Sequence, residues 1–475
     1  MASTSPAGLI SQSFPIVWKS SNKQAYEQAR IGRVFNHRRP DRYPVAVVEA
    51  NKFSDIINAV KLAIERRCRI SIRSGGHSWA AWSVRDEAIL IDFGKYNEVS
   101  LDEARRIVSV SPSTTGRVLN GYLSKFGLLF AGGHCPDVGV GGFLLQGGMG
   151  WNCRNWGWAC EQVAAIDVVT AEGKLLHCSE DVNSDLLWAA RGAGPGFPAI
   201  VTRFYLKVRP APKVMRSSAY IYPMSAYKEA FSWIIDITPS YDTDTEIVAV
   251  GNYPPGMDEP YIMVLFVTFK DSERDAKQAL QPAEDNHPPN PAVQWFFKET
   301  SLPQEYDDQG RANPNEHRYV TENAYINNDA DVPEVLRKAF TTLPTKQSFA
   351  LWYAMNPCSR RKLPDMALSV QSDHYFAFYG VWKDQADDNR CQTWTKETMK
   401  EIERHSVGAY LGDSDFQVRK TRYWGKEQGK KLMELRRKWD PEGRICGYLD
   451  EGDRSRQRGL ANVHEWEEEA KGAKL

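Results

Sequence analysis

Three glycine clusters carry the first chemical signal. One is Arg73-Ser74-Gly75-Gly76-His77-Ser78-Trp79. The second runs from Ala131 through Gly132, Gly133, His134, Cys135, Pro136, Asp137, Val138, Gly139, Val140, Gly141 and Gly142 to Gly147, Gly148 and Gly150. The third is Arg191-Gly192-Ala193-Gly194-Pro195-Gly196. Glycine lets a backbone come close to a ligand and adopt positive φ. Consecutive free amides then make a cradle for a pyrophosphate. One such cluster is an ordinary turn in a sheet; three within about 120 residues favour an extended, phosphate-bearing cofactor. A Rossmann site is excluded, because Gly192–Gly196 has the wrong spacing and runs into the apparent strand AIVTRF rather than opening a helix. The chain has no GxxxxGK[ST] phosphate loop. Cys153 and Cys160 have no common zinc spacing, there is no CxxC, and no metal site is expected. Taken alone, His77 is a hydrogen-bonded core histidine and Cys135 a buried thiol.

The elements that must position these loops alternate between short strands and helices. PVAVVEA, RISIR, ILIDFG and RIVSVSPS read as strands. FSDIINAVKLAIERR carries Ile56, Ile57, Val60 and Ile64 at helical spacing. GRVLNGYLSKFG reads as a helix stopped by Gly127. VAAIDVVTAEG and KLLHCS read as a hairpin turning at Glu172-Gly173. After residue 212 the strands lengthen: AYIYP, EIVAVGNYP, PYIMVLFVTFK, SFALWYAM, MALSVQ and HYFAFYGVW. SERDAKQALQPAEDNHPPNPAV is polar and proline-rich and reads as surface. The fold class is α+β. Residues 1–212 form one domain (core 40–210), 213–405 a large antiparallel sheet with helices on one face, and 406–475 a C-terminal segment with a charged tail.

Composition bounds the function. The 475 residues suffice for two or three domains at about 100–200 residues each. Sixty Lys and Arg balance 60 Asp and Glu, so no global field attracts nucleic acid or an anionic membrane. Eight cysteines are too dilute for a disulfide scaffold. No secretory signal or apolar run of spanning length is evident, so an intracellular location is expected. The chain ends Ala473-Lys474-Leu475, a variant of the peroxisomal SKL address, which makes a peroxisomal import receptor a candidate partner and leaves peroxisome or cytoplasm open.

The segments RSGGHSW, GGHCPDVGVGGFLLQGGMGW and DLLWAARGAGPG followed by AIVTRFYLKV together resemble the berberine bridge enzyme-like branch of the vanillyl-alcohol oxidase flavoproteins. The likeness is strong over 40–210 and weaker over 350–445. It implies a two-part PCMH-type FAD-binding domain, a substrate domain, and a C-terminal segment that returns to the FAD domain. It also implies bicovalent FAD, with His77 on the flavin 8α-methyl and Cys135 on flavin C6. The backbone of Ser74, Gly75, Gly76 and Ser78 would cradle the pyrophosphate, with Gly141, Gly142, Gly147 and Gly148 nearby and Arg73 a further cofactor-binding residue. Val138, Gly139 and Val140 would run beside the ring, and Ile200 and Val201 on the adenine-ribose side. His134 reads as a pocket or packing residue.

The sequence departs from the family at the catalytic base. Many relatives carry an Asn-Tyr pair where this chain has Gly412-Asp413, within Ala409-Tyr410-Leu411-Gly412-Asp413. Asp413 serves as base if burial raises its pKa; otherwise it is a solvated loop residue. In HYFAFYGVW, Tyr375, Ala377 and Tyr379 share one face and His374 and Phe376 the other, so Tyr375, Tyr379 and Tyr410 are further candidates. Trp352, Tyr353 and Gln371 are weaker pocket candidates. Lys426 and Glu427 stand where relatives carry an Asn that reaches the flavin. The resemblance implies an oxidase that passes hydride from a small substrate to FAD and then to O₂, giving hydrogen peroxide; the aromatic-rich pocket candidates and the altered base point to an aromatic or secondary-metabolite substrate rather than an oligosaccharide. An oxidative cyclase, a dehydrogenase with another acceptor, and a non-catalytic flavin scaffold are the rivals.

Overall fold

The computed structural model describes residues 14–416, 418–419 and 421–447, so Ala473-Lys474-Leu475 lies outside the described residues. A small sheet orders Ile16–Trp18, Ala46–Glu49, Ala88–Asp92 and Arg69–Arg73. Its last three strands are mutually parallel, and the helix Phe53–Arg66 makes the crossover. That helix buries Ile56, Ala59, Val60, Leu62 and Ala63. Ile64, expected on the apolar face, is 39% exposed, because the buried stripe follows the alanines instead.

A second sheet is antiparallel and orders Val99–Asp102, Ile107–Val110, Ala199–Lys207, Val163–Thr170 and Leu175–Cys178. The expected hairpin closes at Gly173, whose φ of +81° is left-handed. Gly127 ends its helix with φ +64°. Together the two sheets confirm the two-part PCMH-type architecture.

The third sheet has eight antiparallel strands. Its order is Val293–Thr300, Val214–Pro223, Tyr261–Lys270, Thr245–Asn252, Phe349–Ala354, His374–Trp382, Arg318–Ile326 and Ser406–Gly408. One face packs on the helices Tyr227–Ile237, Glu273–Asn286, Val332–Thr341 and Asp388–Ile402. The core between them holds Phe231, Phe340, Trp352, Phe376 and Phe378. Glu273–Asn286, within the segment expected at the surface, is an amphipathic helix whose Ala276, Ala279, Leu280 and Ala283 recur at three and four residues and are buried. One expectation fails here. MALSVQ forms no strand. Ala367 N–H and Leu368 N–H donate instead to the carbonyls of Trp188 and Arg191.

The C-terminal helix Lys426–Trp439 packs Leu432 and Leu435 into the core of the second sheet. Ile70 N–H donates to Arg444 O at 2.7 Å, and Cys446 N–H to Ile70 O at 2.8 Å. Among the described residues no helix is long and apolar enough to cross a membrane.

Candidate functional site

A cavity of about 710 Å³ opens between the glycine loops and the uncovered face of the eight-stranded sheet. Arg73, Ser74, Gly75, Gly76, His77 and Ser78 line it from the first loop. Cys135, Val138, Gly139, Gly141 and Gly142 line it from the second, and Val201 from the adjacent strand. Tyr375, Tyr379, Tyr410 and Asp413 line it as well. Four expected cofactor residues do not line it. Val140 and Ile200 are buried in cores. Gly147 and Gly148 are turn residues packed on Leu368 and on Ala159 and Phe143.

The glycines are required first by the protein itself. A Cβ on Gly75 would lie 2.5 Å from the Gly139 nitrogen, and one on Gly139 would lie 2.7 Å from the Gly75 nitrogen. Gly76 has φ +80°, and a Cβ there would strike the Arg33 carbonyl at 1.8 Å. The two loops therefore fit only without side chains at these points. Among the described residues, no protein acceptor takes the N–H of Gly75, Gly76, His77 or Ser78. A row of free amides on a cavity wall fits a pyrophosphate. Arg73 does not contribute its side chain. Its guanidinium pairs with Asp92 and caps the Ala29 and Arg30 carbonyls.

His77 stacks on Phe35 at 3.9 Å and meets Trp79 edge-on at 5.6 Å. Burial pushes its pKa down to about 4, so the imidazole is neutral near pH 7. Burial, then the charges of Asp413 and Asp137, push the Cys135 thiol up to about 12.

Asp413 sits in a tightly held turn, Leu411–Asp413. Asn323 clamps that turn: its amide donates to Tyr410 O at 2.8 Å and Ser414 Oγ at 3.0 Å, and it accepts from Tyr410 N–H at 2.6 Å. Arg38 pairs with the neighbouring Asp415 at 2.6 Å. Tyr375 Oη donates to Asp413 Oδ2 at 2.6 Å. Burial raises the Asp413 pKa above the usual carboxylate range, while Tyr375, Tyr379 and Trp79 pull it the other way as donors. Burial, then the Asp413 charge, hold the Tyr375 and Tyr379 hydroxyls well above the ordinary phenol range. Tyr379 stacks on Phe349 at 4.5 Å. The Tyr410 hydroxyl accepts from Met149 N–H at 3.1 Å, so it ties the turn to the second glycine loop.

Strand alternation sorts the weaker candidates. Tyr353 lines the cavity, but Trp352 points into the helix-covered core. Gln371 is not on the cavity wall; it accepts from Trp158 Nε1 at 3.2 Å. Sequence reasoning missed Glu246 and the aliphatic residues Val248, Val250, Met263, Leu265 and Leu351, all on the wall. Each faces the cavity through antiparallel register across three strands, as in the pairs Val248–Leu265 and Val250–Met263. Alternation within EIVAVGNYP was the available signal for Glu246, Val248 and Val250.

The comparisons agree with this geometry. A family model described as an FAD binding domain matches residues 44–179. The FAD-linked oxidoreductase nodO of Hypoxylon pulicicidum is 39% identical over 440 residues, covering 92% of this chain and 98% of that protein. The FAD-linked oxidoreductase penO of Penicillium crustosum is 39% identical over 451 residues, covering 95% and 98%. Among solved structures, a Physcomitrella patens BBE-like 1 superposes with TM-score 0.78 at 18% identity, covering 91% of this chain and 96% of that one. The 6-hydroxy-D-nicotine oxidase of Arthrobacter nicotinovorans gives TM-score 0.78 at 18% identity, covering 92% and 98%. Fold, free-amide cradle and full-length relatives converge: the chain belongs to the FAD-linked oxidoreductases and has the fold of the BBE-like structure.

Proposed function

We propose that this oxidoreductase is an oxidase of secondary metabolism, with FAD held bicovalently by His77 and Cys135 and O₂ as the electron acceptor. When bound, FAD supplies the hydride acceptor and the route of the electron pair to O₂, with hydrogen peroxide as product. The observation that carries the reading is one cavity lined both by His77 and Cys135 and by the Tyr375–Asp413 pair. A neutral His77 has a free nitrogen lone pair for a bond to carbon. The Cys135 thiol needs proton removal before it can bond, because the thiolate is the nucleophile.

Asp413 takes the substrate proton as hydride leaves. A raised pKa strengthens it as a base while leaving it able to ionise. Tyr375 fixes the carboxylate at 2.6 Å, and Tyr379 narrows the approach. The aliphatic wall of Val248, Val250, Met263, Leu265 and Leu351 favours a largely apolar substrate over an oligosaccharide, whose hydroxyls it would leave unpaired. The short Val138-Gly139 segment on the wall supports oxygen access.

The test needs no substrate. Holoenzyme is reduced anaerobically with dithionite and mixed with air-saturated buffer. An oxidase reoxidises within seconds and releases stoichiometric peroxide. Reoxidation over many minutes, unchanged by raising O₂ and fast with an artificial acceptor, identifies a dehydrogenase instead.

A further inference from the structure

The cavity holds a second titratable pair that this mechanism leaves unused. Glu246 lies on Thr245–Asn252 with its side chain 4% exposed. Three donors converge on its carboxylate: Asn152 N–H at 2.7 Å, Tyr353 Oη at 2.8 Å, and His134 Nε2 at 3.0 and 3.1 Å to its two oxygens. His134 is 22% exposed on its side chain, lines the cavity, and packs against Trp151 at 4.3 Å. Holding Nε2–H on a carboxylate fixes the tautomer and leaves Nδ1 as the working nitrogen. Among the described residues, nothing hydrogen-bonds that nitrogen. A carboxylate that orients an imidazole so that its other nitrogen faces a reactant is the geometry of a general base.

The geometry points to His134–Glu246 as a second proton-accepting pair, which receives a hydroxyl on the substrate other than the group Asp413 serves. This rests on the cavity being the substrate site. The substrate class is then an apolar skeleton with two separated oxygen functions, the second a phenol or alcohol. Glu246 is a positioning residue; His134 is the group in contact. The charged and titratable neighbours of His134 are Glu246, Tyr353 on Phe349–Ala354, Glu305 on Leu302–Ala312, Asp413, and Cys135 beside it. Burial lowers the His134 pKa, but Glu246, with Asp413 and Glu305, outweighs it and raises the pKa above the usual imidazole value.

The probe is 4-nitrophenol, whose own absorbance reports where its proton sits. Purified holoenzyme is titrated with it from pH 5 to 9. The wild type is expected to bind it, with affinity falling on the acid side as His134 takes up a proton and ceases to accept. His134→Gln should weaken binding at least tenfold and flatten that acid limb. Glu246→Gln should shift the limb to lower pH. Asp413→Asn should still bind. No binding by the wild type overturns the inference. So does loss in Asp413→Asn with full binding in His134→Gln. Acid-stable yellow colour in each variant separately tests the flavin reading, so a colourless pellet would sink that reading without deciding this one.

Discussion

Along the strand His374–Trp382 all nine residues are buried, yet neighbouring residues stand in different chemistry. Phe376 and Phe378 point to the helices, where Phe340 and Trp394 pack against them at 6.3 and 5.1 Å. Tyr375 and Tyr379 point the other way, to Asp413 and the cavity. Burial therefore does not separate core from site in this molecule; the partner across the strand face does. On the helix face the rings around Phe376 and Phe378 pack on one another, with Trp352 Nε1–H donating to His374 Nδ1 at 3.3 Å, and packing is what a substitution of either phenylalanine puts at stake. On the cavity face the aromatic rings carry hydroxyls aimed at a carboxylate, and stability and chemistry pull apart.

Substitutions on the two faces can break that comparison. The largest effect is expected for Asp413→Asn, which should slow flavin reduction by ~10²–10⁴. The measurement is rapid-mixing absorbance with a substrate from a peroxide-release screen. A loss under tenfold would place the base elsewhere. Phe376→Ala, on the other face, should cost ~3–5 kcal/mol in urea unfolding and leave the reduction rate of the folded fraction close to wild type. Gly76→Ala, in the loop wall, should cost ~1–3 kcal/mol, since it adds overpacking at the Arg33 carbonyl to a left-handed φ. Tyr375→Phe should sharpen the contrast most. It removes only a hydroxyl, but one that donates to a buried carboxylate, so stability should fall by ~1.5–3 kcal/mol while reduction slows measurably.

The smallest expected effect has a definite sign. The folded-state pKa of Asp413 is raised, so the folded protein holds a proton that the unfolded chain has released. Its contribution therefore weakens the fold as pH rises through the window above the ordinary carboxylate range. Asp413→Asn removes that penalty and should unfold at higher urea than wild type at neutral pH, with the gap closing in acid. A variant less stable than wild type at pH 7 and equal at pH 4 would reverse the sign.

The two walls of the cavity were unequally legible in the sequence. Gly75, Gly76 and Gly139 stand in runs because the need for a missing Cβ is local, and a run of glycines is visible in a string. His77 and Cys135 lie inside those runs, but it was the family resemblance, not the glycines, that singled them out. The sheet wall depends on register between strands that are far apart in the chain. Alternation in HYFAFYGVW was enough to put Tyr375 and Tyr379 on one face, but not to say which face met the cavity. Glu246 and the aliphatic row from Val248 to Leu351 come together through pairing of three strands, which no single segment reveals. Tyr410 lines the cavity as a base candidate would, and its hydroxyl receives a backbone amide from a loop 261 residues away in sequence, a tie no single segment reveals. MALSVQ had strand composition, yet its amides go to a helix end and a turn.

The central claim is that His77 and Cys135 both bond the cofactor. Protein expressed in a reducing host is precipitated with acid, and the pellet is examined by absorbance and intact mass. The account predicts a yellow pellet whose mass exceeds the polypeptide by one FAD, with colour kept in either single alanine variant and lost only in His77→Ala combined with Cys135→Ala. A colourless wild-type pellet with flavin in the supernatant would contradict it.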